Sequence, residues 1–303
     1  MKTLITRSLK LTPQEQTYLT GLGLEITFHA DEAAQVSEPE QYEAVIAYDL
    51  FRANPLEKFV NLKYLQITSA GLDHLPLAEI NRRGIVLKNA RGVYSVPIAE
   101  FALCSVLQLY KKSRQFAAAQ AAHRWHRLRG IQEIAGKTVC VVGVGSIGNE
   151  IAKRFAAFDA EVTGVDIARV KSPYFAEVML ADRLEEALSQ ADIVVLTLPL
   201  MPSTRHMFDA ERLSAIKPGA VFVNVARGSL VDEAALVDAL QSGRLAGAVL
   251  DVFEQEPLPE DNPLWDMPNV IVTPHNSFLA ESNSQAMFRV VSANLRAYMA
   301  GQN

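Results

Sequence analysis

Residues 139–155, VCVVGVGSIGNEIAKRF, most constrain how this chain can fold, because a run of β-forming residues there meets three spaced glycines and then a helical pattern. Gly143 permits a tight turn after the strand, Gly145 lets backbone N–H groups approach a pyrophosphate, and Gly148 lets the helix pack closely on the strand. The helix N-terminus then faces the phosphates. A bare GxGxxG is a weak signal, but the strand-turn-helix context makes it specific. A second strand, EVTGVD, ends in Asp166, where an acid can accept hydrogen bonds from ribose hydroxyls and repel a 2′-phosphate. This predicts NAD, with NADP disfavoured, although the nearby Arg169 could offset that preference. The bland alternative is that the glycines only make a turn and Asp166 only caps a helix.

The rest of the chain repeats a βα rhythm. TLIT, LEITF, AVIAY, YLQI and IVLK are β-rich runs separated by amphipathic stretches such as TPQEQTYLTGL and LDHLPLAEINRR. From Gly136 onward come TVCVV, EVTGVD, DIVVLTL, AVFVNV, GAVLDV and VIVTP. Such alternation predicts parallel sheets with crossover helices. Between the two sets, a stretch from Ile98 to about Arg129 has no breaker and reads as one or two helices bridging domains. A last helical stretch, from about Ala280 to Met299, has no strand after it, so it is expected to return to the first domain. The predicted fold is α/β with two doubly wound parallel sheets. A Rossmann nucleotide-binding domain, 98–276, is inserted in a flavodoxin-like substrate domain made of 1–97 and 277–303, with hinges near 95–100 and 276–280.

Composition serves mainly to exclude. The 29 Lys plus Arg against 34 Asp plus Glu give a net charge of -5, so no global positive field exists to hold nucleic acid or anionic lipid. A small anionic substrate needs a local cationic site instead. The start, MKTLITRSLKLTPQEQ, is too broken by charge for a signal peptide, and no apolar run approaches a membrane span, which predicts a cytoplasmic protein. Cys104 and Cys140 lie in apolar helix-like and strand-like runs and read as buried thiols. His123 and His126 in HRWH have a metal-compatible spacing, but no nearby Cys or acid completes a site, so no metal is predicted.

In an open parallel sheet, ligands bind beyond the carboxyl ends of the strands. AVFVNV is followed there by Ala226, Arg227 and Gly228, GAVL by Asp251, and VIVTP by His275, with Glu256 in the loop after Asp251. An imidazole suits proton transfer near neutral pH. A carboxylate beside it favours the imidazolium. A guanidinium can grip a substrate carboxylate with two parallel hydrogen bonds and polarise the adjacent carbonyl. Together these groups suit reduction of a 2-oxo acid, in which hydride goes to C2 and a proton to the developing alkoxide. Asp251 suits the nicotinamide carboxamide. Spacing alone does not choose between Glu254 and Glu256. Taken singly, Arg227 could pair with a surface acid, Asp251 could cap a helix, and Glu256 could be a solvated acid. His29, His74, His123, His126 and His206 show no comparable company.

Seven segments in order then resemble one family, the D-isomer-specific 2-hydroxyacid dehydrogenases, which include D-lactate, D-glycerate and D-3-phosphoglycerate dehydrogenases. They are TSAGLDHL, GVYSVPIAEFAL, GKTVCVVGVGSIGNEIAKR, LPLMPSTRHMF, VFVNVARGSLVDEAAL, GAVLDVFEQEPLP and NVIVTPHNS, and they cover nearly the whole chain. The resemblance implies that Arg227, Glu256 and His275 are catalytic, and it selects Glu256 over Glu254. It implies an NAD site lined by Gly143, Gly145, Ser146, Ile147, Gly148, Asp166, Pro199, Thr204, Ala226, Arg227, Asp251 and His275. It further implies that backbone N–H groups at Ser69, Ala70 and Gly71, with Arg227 and His275, hold a small 2-oxo acid or D-2-hydroxy acid. A homodimer joined through the nucleotide-binding domains is implied, with the helix from about Ile98 and the AAHRWHRL segment in the interface. Arg91 and Tyr94 depart from relatives, in which that stretch is usually smaller and more polar. With no appended C-terminal domain, serine-sensing allostery of some phosphoglycerate relatives is not expected. Two other readings share the scaffold: an NAD-sensing corepressor-like binding protein, and a formate- or phosphite-type dehydrogenase, of which the formate type carries Gln where this chain has Glu256.

Overall fold

The computed structural model describes residues 1–302. The chain divides into two compact units, one formed by Met1–Tyr94 with the residues from Ala280 onward, the other by Ser95–Leu279. The first unit begins β1 (Lys2–Thr6), α1 (Pro13–Gly21), β2 (Glu25–His29), β3 (Ala44–Ala47), β4 (Tyr64–Ile67), α2 (Leu77–Arg82) and β5 (Val86–Lys88). The second contains α3 (Ser95–Tyr110), α4 (Ser113–Ala121), β6 (Thr138–Val142), α5 (Ser146–Ala156), β7 (Glu161–Asp166), β8 (Glu177–Leu180), α6 (Leu184–Gln190), β9 (Ile193–Leu196), α7 (Ala210–Ala215), β10 (Val221–Asn224), α8 (Glu233–Gln241), β11 (Gly247–Leu250) and β12 (Val270–Val272). The terminal helix α9 (Asn283–Met299) completes the first unit.

The first sheet is wholly parallel, in the order β2-β1-β3-β4-β5, which is the flavodoxin-like order. Alternation along its strands divides the core into two layers. Leu4, Val45, Ala47, Leu65 and Ile67 pack with Phe59 and Ile80 on one face. Ile5, Ala44, Ile46 and Tyr64 pack with Leu19 of α1 and with Met287, Val291 and Leu295 of α9 on the other. That second layer also buries an amide: Gln66 accepts from Tyr64 Oη at 3.1 Å and from Asn294 Nδ2 at 3.0 Å, and donates to Ile67 O at 3.0 Å. The Gln66 amide is thus satisfied, which removes most of the cost of burying it.

The second sheet, also parallel, runs β12-β11-β10-β9-β6-β7-β8. Strand order reverses between β6 and β9, so their carboxyl ends form the topological switch point where open α/β sheets bind ligands. The sequence runs that predict strands coincide with β1–β7 and β9–β12. Only β8 goes unpredicted: it is a four-residue edge strand that follows β7 with no helix between them, outside the βα rhythm. The stretch predicted as one or two helices to about Arg129 forms two, but the second stops at Ala121. Lys112 lies in left-handed backbone between them, and residues 122–131 run nearly all exposed without regular structure, Trp125 being 99% exposed. Among the described residues, no helix is long and apolar enough to cross a membrane.

One contact fixes the loops above this sheet. A Cβ built on Gly228 would lie 1.9 Å from the carbonyl carbon of Phe253, so the turn after β10 and the loop after β11 touch backbone to backbone. Gly228→Ala is therefore expected to lower stability by about 1–3 kcal/mol, seen as a lower urea midpoint. A midpoint matching the parent would refute this packing argument.

Candidate functional site

At the switch point, Gly143 has φ +106 and follows β6 directly. A Cβ on Gly148 would lie 2.1 Å from Gly143 O, which is why the helix can approach the strand only with glycine there. Gly145 has nothing within 4 Å of its missing Cβ, so the approach to the first turn of α5 stays open. Helix α5 has no side-chain cap at its start, and no described residue accepts from the N–H groups of Ser146, Ile147 or Gly148. Unpaired donors at a helix N-terminus fit a pyrophosphate. Asp166 accepts from Val144 N at 2.7 Å and from Ala168 N at 3.3 Å, which pins its carboxylate beside the glycine turn. Thr204 Oγ1 accepts from Met201 N and donates to Pro199 O, each at 2.8 Å, so these two predicted cofactor-lining residues shape one turn. The residues present thus fit a dinucleotide.

The loops after β10, β11 and β12 bring the predicted chemistry together. His275 Nδ1 lies 3.0 Å from Glu256 Oε2, which leaves Nε2 of the ring for another partner. Glu256 Oε1 accepts from Phe253 N at 3.1 Å. Burial raises the pKa of Glu256, but the hydrogen bonds from His275 and Phe253 N–H, with the charges of His275 and Arg227, outweigh it and hold the carboxyl below its usual 4.5. Glu254, which spacing alone left as a rival, bonds elsewhere. Arg227 donates from Nη1 to Ala226 O at 2.7 Å. The buried Asn224 clamps this turn, accepting from Ala226 N at 3.1 Å and donating to Arg227 O at 2.9 Å.

Asp251 is 1% exposed and caps no helix. Its Oδ1 accepts from Thr273 Oγ1 at 2.6 Å and Asn276 N at 2.8 Å, its Oδ2 from Ser277 N at 3.0 Å, and its backbone oxygen from His275 N at 2.8 Å. It therefore holds the segment that carries His275, whose φ of +50 lies in the left-handed region. The sequence places Asp251 at the site; this anchoring and the Asn224 clamp were not foreseen. Their one signal is a polar residue ending an otherwise apolar strand.

In the first unit, the predicted substrate turn follows β4, and no described residue accepts from the N–H groups of Ser69, Ala70 or Gly71. Two sequence expectations need correction. Cys104 is exposed, not buried, because it sits on the outward face of α3, whereas Cys140 lies inside β6, where burial pushes its thiol up to about 12. His206 does have an acid neighbour: its Nε2 lies 2.7 Å from Glu254 Oε1, a pairing made by two distant loops. His29 and His74 reach the backbone oxygens of Ala34 and Tyr48, and the His74 ring lies 5.6 Å from that of Tyr48. Among the described residues, no group of three or more His, Cys, Asp or Glu could hold a metal ion.

Comparison with known proteins places this geometry among relatives. The model of the D-isomer specific 2-hydroxyacid dehydrogenase, NAD binding domain, matches residues 103–277. The D-3-phosphoglycerate dehydrogenase of Methanocaldococcus jannaschii is 35% identical over 82% of this chain, which spans only about half (47%) of that relative's length. The glyoxylate reductase of Thermofilum pendens is 34% identical over 84% of this chain and 77% of its own. A D-isomer specific 2-hydroxyacid dehydrogenase from Xanthobacter autotrophicus Py2, solved with NADPH and MES, superposes with a TM-score of 0.81 at 32% identity, covering 99% of this chain and 96% of that one.

Two outcomes test the anchoring. Asp251→Asn turns an amide donor toward at least one existing donor, at a cost of about 1–3 kcal/mol, which thermal or urea unfolding will register. Because the folded pKa of Glu256 lies below 4.5, its pairing stabilises the protein above 4.5 and is lost as pH falls through the folded value. Glu256→Gln should accordingly flatten the acid limb of the stability-versus-pH curve; an unaltered limb would show that the pairing contributes nothing to folding.

Proposed function

This chain belongs to the D-isomer specific 2-hydroxyacid dehydrogenase family, and from that premise we propose that it transfers hydride between NAD(H) and C2 of a small 2-oxo acid or D-2-hydroxy acid. The observation that carries this reading is the 3.0 Å contact of His275 Nδ1 with Glu256, which orients the ring and frees Nε2 for a substrate oxygen. Bound NADH supplies the hydride. His275 Nε2 donates the proton to the oxygen on C2 as negative charge develops there, and recovers it from solvent after turnover. Glu256 holds the ring in place through Nδ1. Arg227 grips the substrate carboxylate and draws electron density from the carbonyl. Open N–H groups at residues 69–71 are donors suited to a carboxylate. In the reverse direction Nε2 takes the hydroxyl proton.

The protein works in the cytoplasm as a homodimer, in this reading, with α3 and the exposed 122–131 segment between nucleotide-binding domains; sedimentation of the purified chain tests the dimer. Asp166 favours NADH over NADPH, although the relative from Xanthobacter holds NADPH. Titration of both coenzymes should show tighter binding of NADH, and a clear NADPH preference would overturn that part.

An NADH-consumption screen over pyruvate, glyoxylate, hydroxypyruvate, 2-oxoisocaproate, phenylpyruvate and oxaloacetate tests the reaction and finds the preferred side chain. His275→Gln should lower the rate on the best of these about 100-fold or more; a variant of parental rate would remove His275 from the chemistry. Glu256→Gln should lower the same rate, since the ring loses the carboxylate that orients it.

A further inference from the structure

The turn after β4 binds back four successive carbonyls. Thr68 O accepts from Tyr94 Oη at 2.5 Å, Ser69 O from Ala90 N at 2.9 Å, Ala70 O from Asn89 Nδ2 at 2.7 Å, and Gly71 O from Ser69 Oγ at 2.7 Å. In a trans peptide plane the carbonyl and the next residue's N–H point in opposite directions. Holding Thr68 O therefore aims Ser69 N–H, holding Ser69 O aims Ala70 N–H, and holding Ala70 O aims Gly71 N–H. Those are the three groups that no described residue accepts from. Three of the four tethers come from one loop, between β5 and α3, which turns at Gly92 with φ +91.

We propose that Asn89 and Tyr94 are positioning residues for substrate binding: their side chains fix the peptide planes that present the 69–71 N–H groups to the substrate carboxylate. This rests on the reaction proposed above. Successive N–H groups make a concavity suited to an anion, and bonds to a charged acceptor are stronger than neutral ones. Glycine at 71 makes that last plane the freest to flip, so its tether matters most. Asn89 Oδ1 accepts from Arg91 N at 3.2 Å, which sets the amide with its nitrogen toward Ala70. Burial, and then the nearby Tyr48, pushes the Tyr94 hydroxyl up to about 12, so it stays protonated and donating throughout the working range. The two residues thus need no charge to act.

Steady-state kinetics with the best oxo acid of the screen provides the test. Asn89→Leu removes the donor at similar volume and should raise KM for the oxo acid about tenfold, equivalent to about 1.4 kcal/mol. Tyr94→Phe should raise it about threefold to tenfold. In both, kcat should fall less than KM rises, and the Kd for NADH, read by fluorescence, should stay within about twofold. Asn89→Asp, which keeps the shape but cannot donate, guards against a folding defect in the leucine variant and should behave like it. A merely structural role would lower Tm and kcat with KM unmoved, and that result overturns the proposal alone. A parent that reduces no 2-oxo acid overturns the reaction, and this inference with it.

Discussion

The buried carboxylate of Asp251 is the interaction on which the carboxyl end of the second sheet depends. Three donors from residues 273, 276 and 277 meet its two oxygens, and the N–H of His275 meets its backbone oxygen. A buried charge is tolerated only where its hydrogen bonds are made. Making them draws the segment after β12 down onto the end of β11. The imidazole of His275 is therefore placed by a neighbouring strand rather than by its own loop, and the left-handed backbone at 275 is imposed from outside. A residue held in a sparsely populated conformation persists when its surroundings over-determine it.

Much of the fold could be read directly because the chain is locally consistent. Among the described residues, eleven of the twelve strands announce themselves as β-rich runs, and the central ones are buried on both faces. The glycine pattern at 143–148 could be read for a different reason: the close approach of Gly148 to Gly143 O leaves no alternative residue. β8 was hidden because no helix separates it from β7, so it falls outside the alternation that reveals the others. The helix end at Ala121 was hidden because no Gly or Pro marks it, and the helix-favouring residues of 122–129 have no core to pack on.

At the site, residue types at strand ends were legible, but partnerships were not. Arg227, Asp251 and His275 stand where strand runs stop, so topology alone gathers them. The pairing of Glu256 with His275, and of Glu254 with His206, turns on the course of an irregular loop, which periodicity cannot supply. Resemblance to a family picked Glu256, and the geometry puts that carboxylate beside the ring. The N–H groups at 69–71 likewise come from the resemblance and not from pattern, because their opening depends on where their carbonyls go, and those partners lie about twenty residues on.

The apposition of Gly228 and Phe253 carries a consequence for how such a protein can diversify. With the two backbones touching, the arginine turn and the acid loop form a single unit whose parts cannot lengthen or shift separately. An insertion or deletion in either stretch would push the other out of place. The turn after β4 is held as well, by four tethered carbonyls, whereas the loop after β3 leaves the side chain of Tyr48 exposed. Tolerance of a change in length is thereby distributed unevenly among stretches of the same polypeptide.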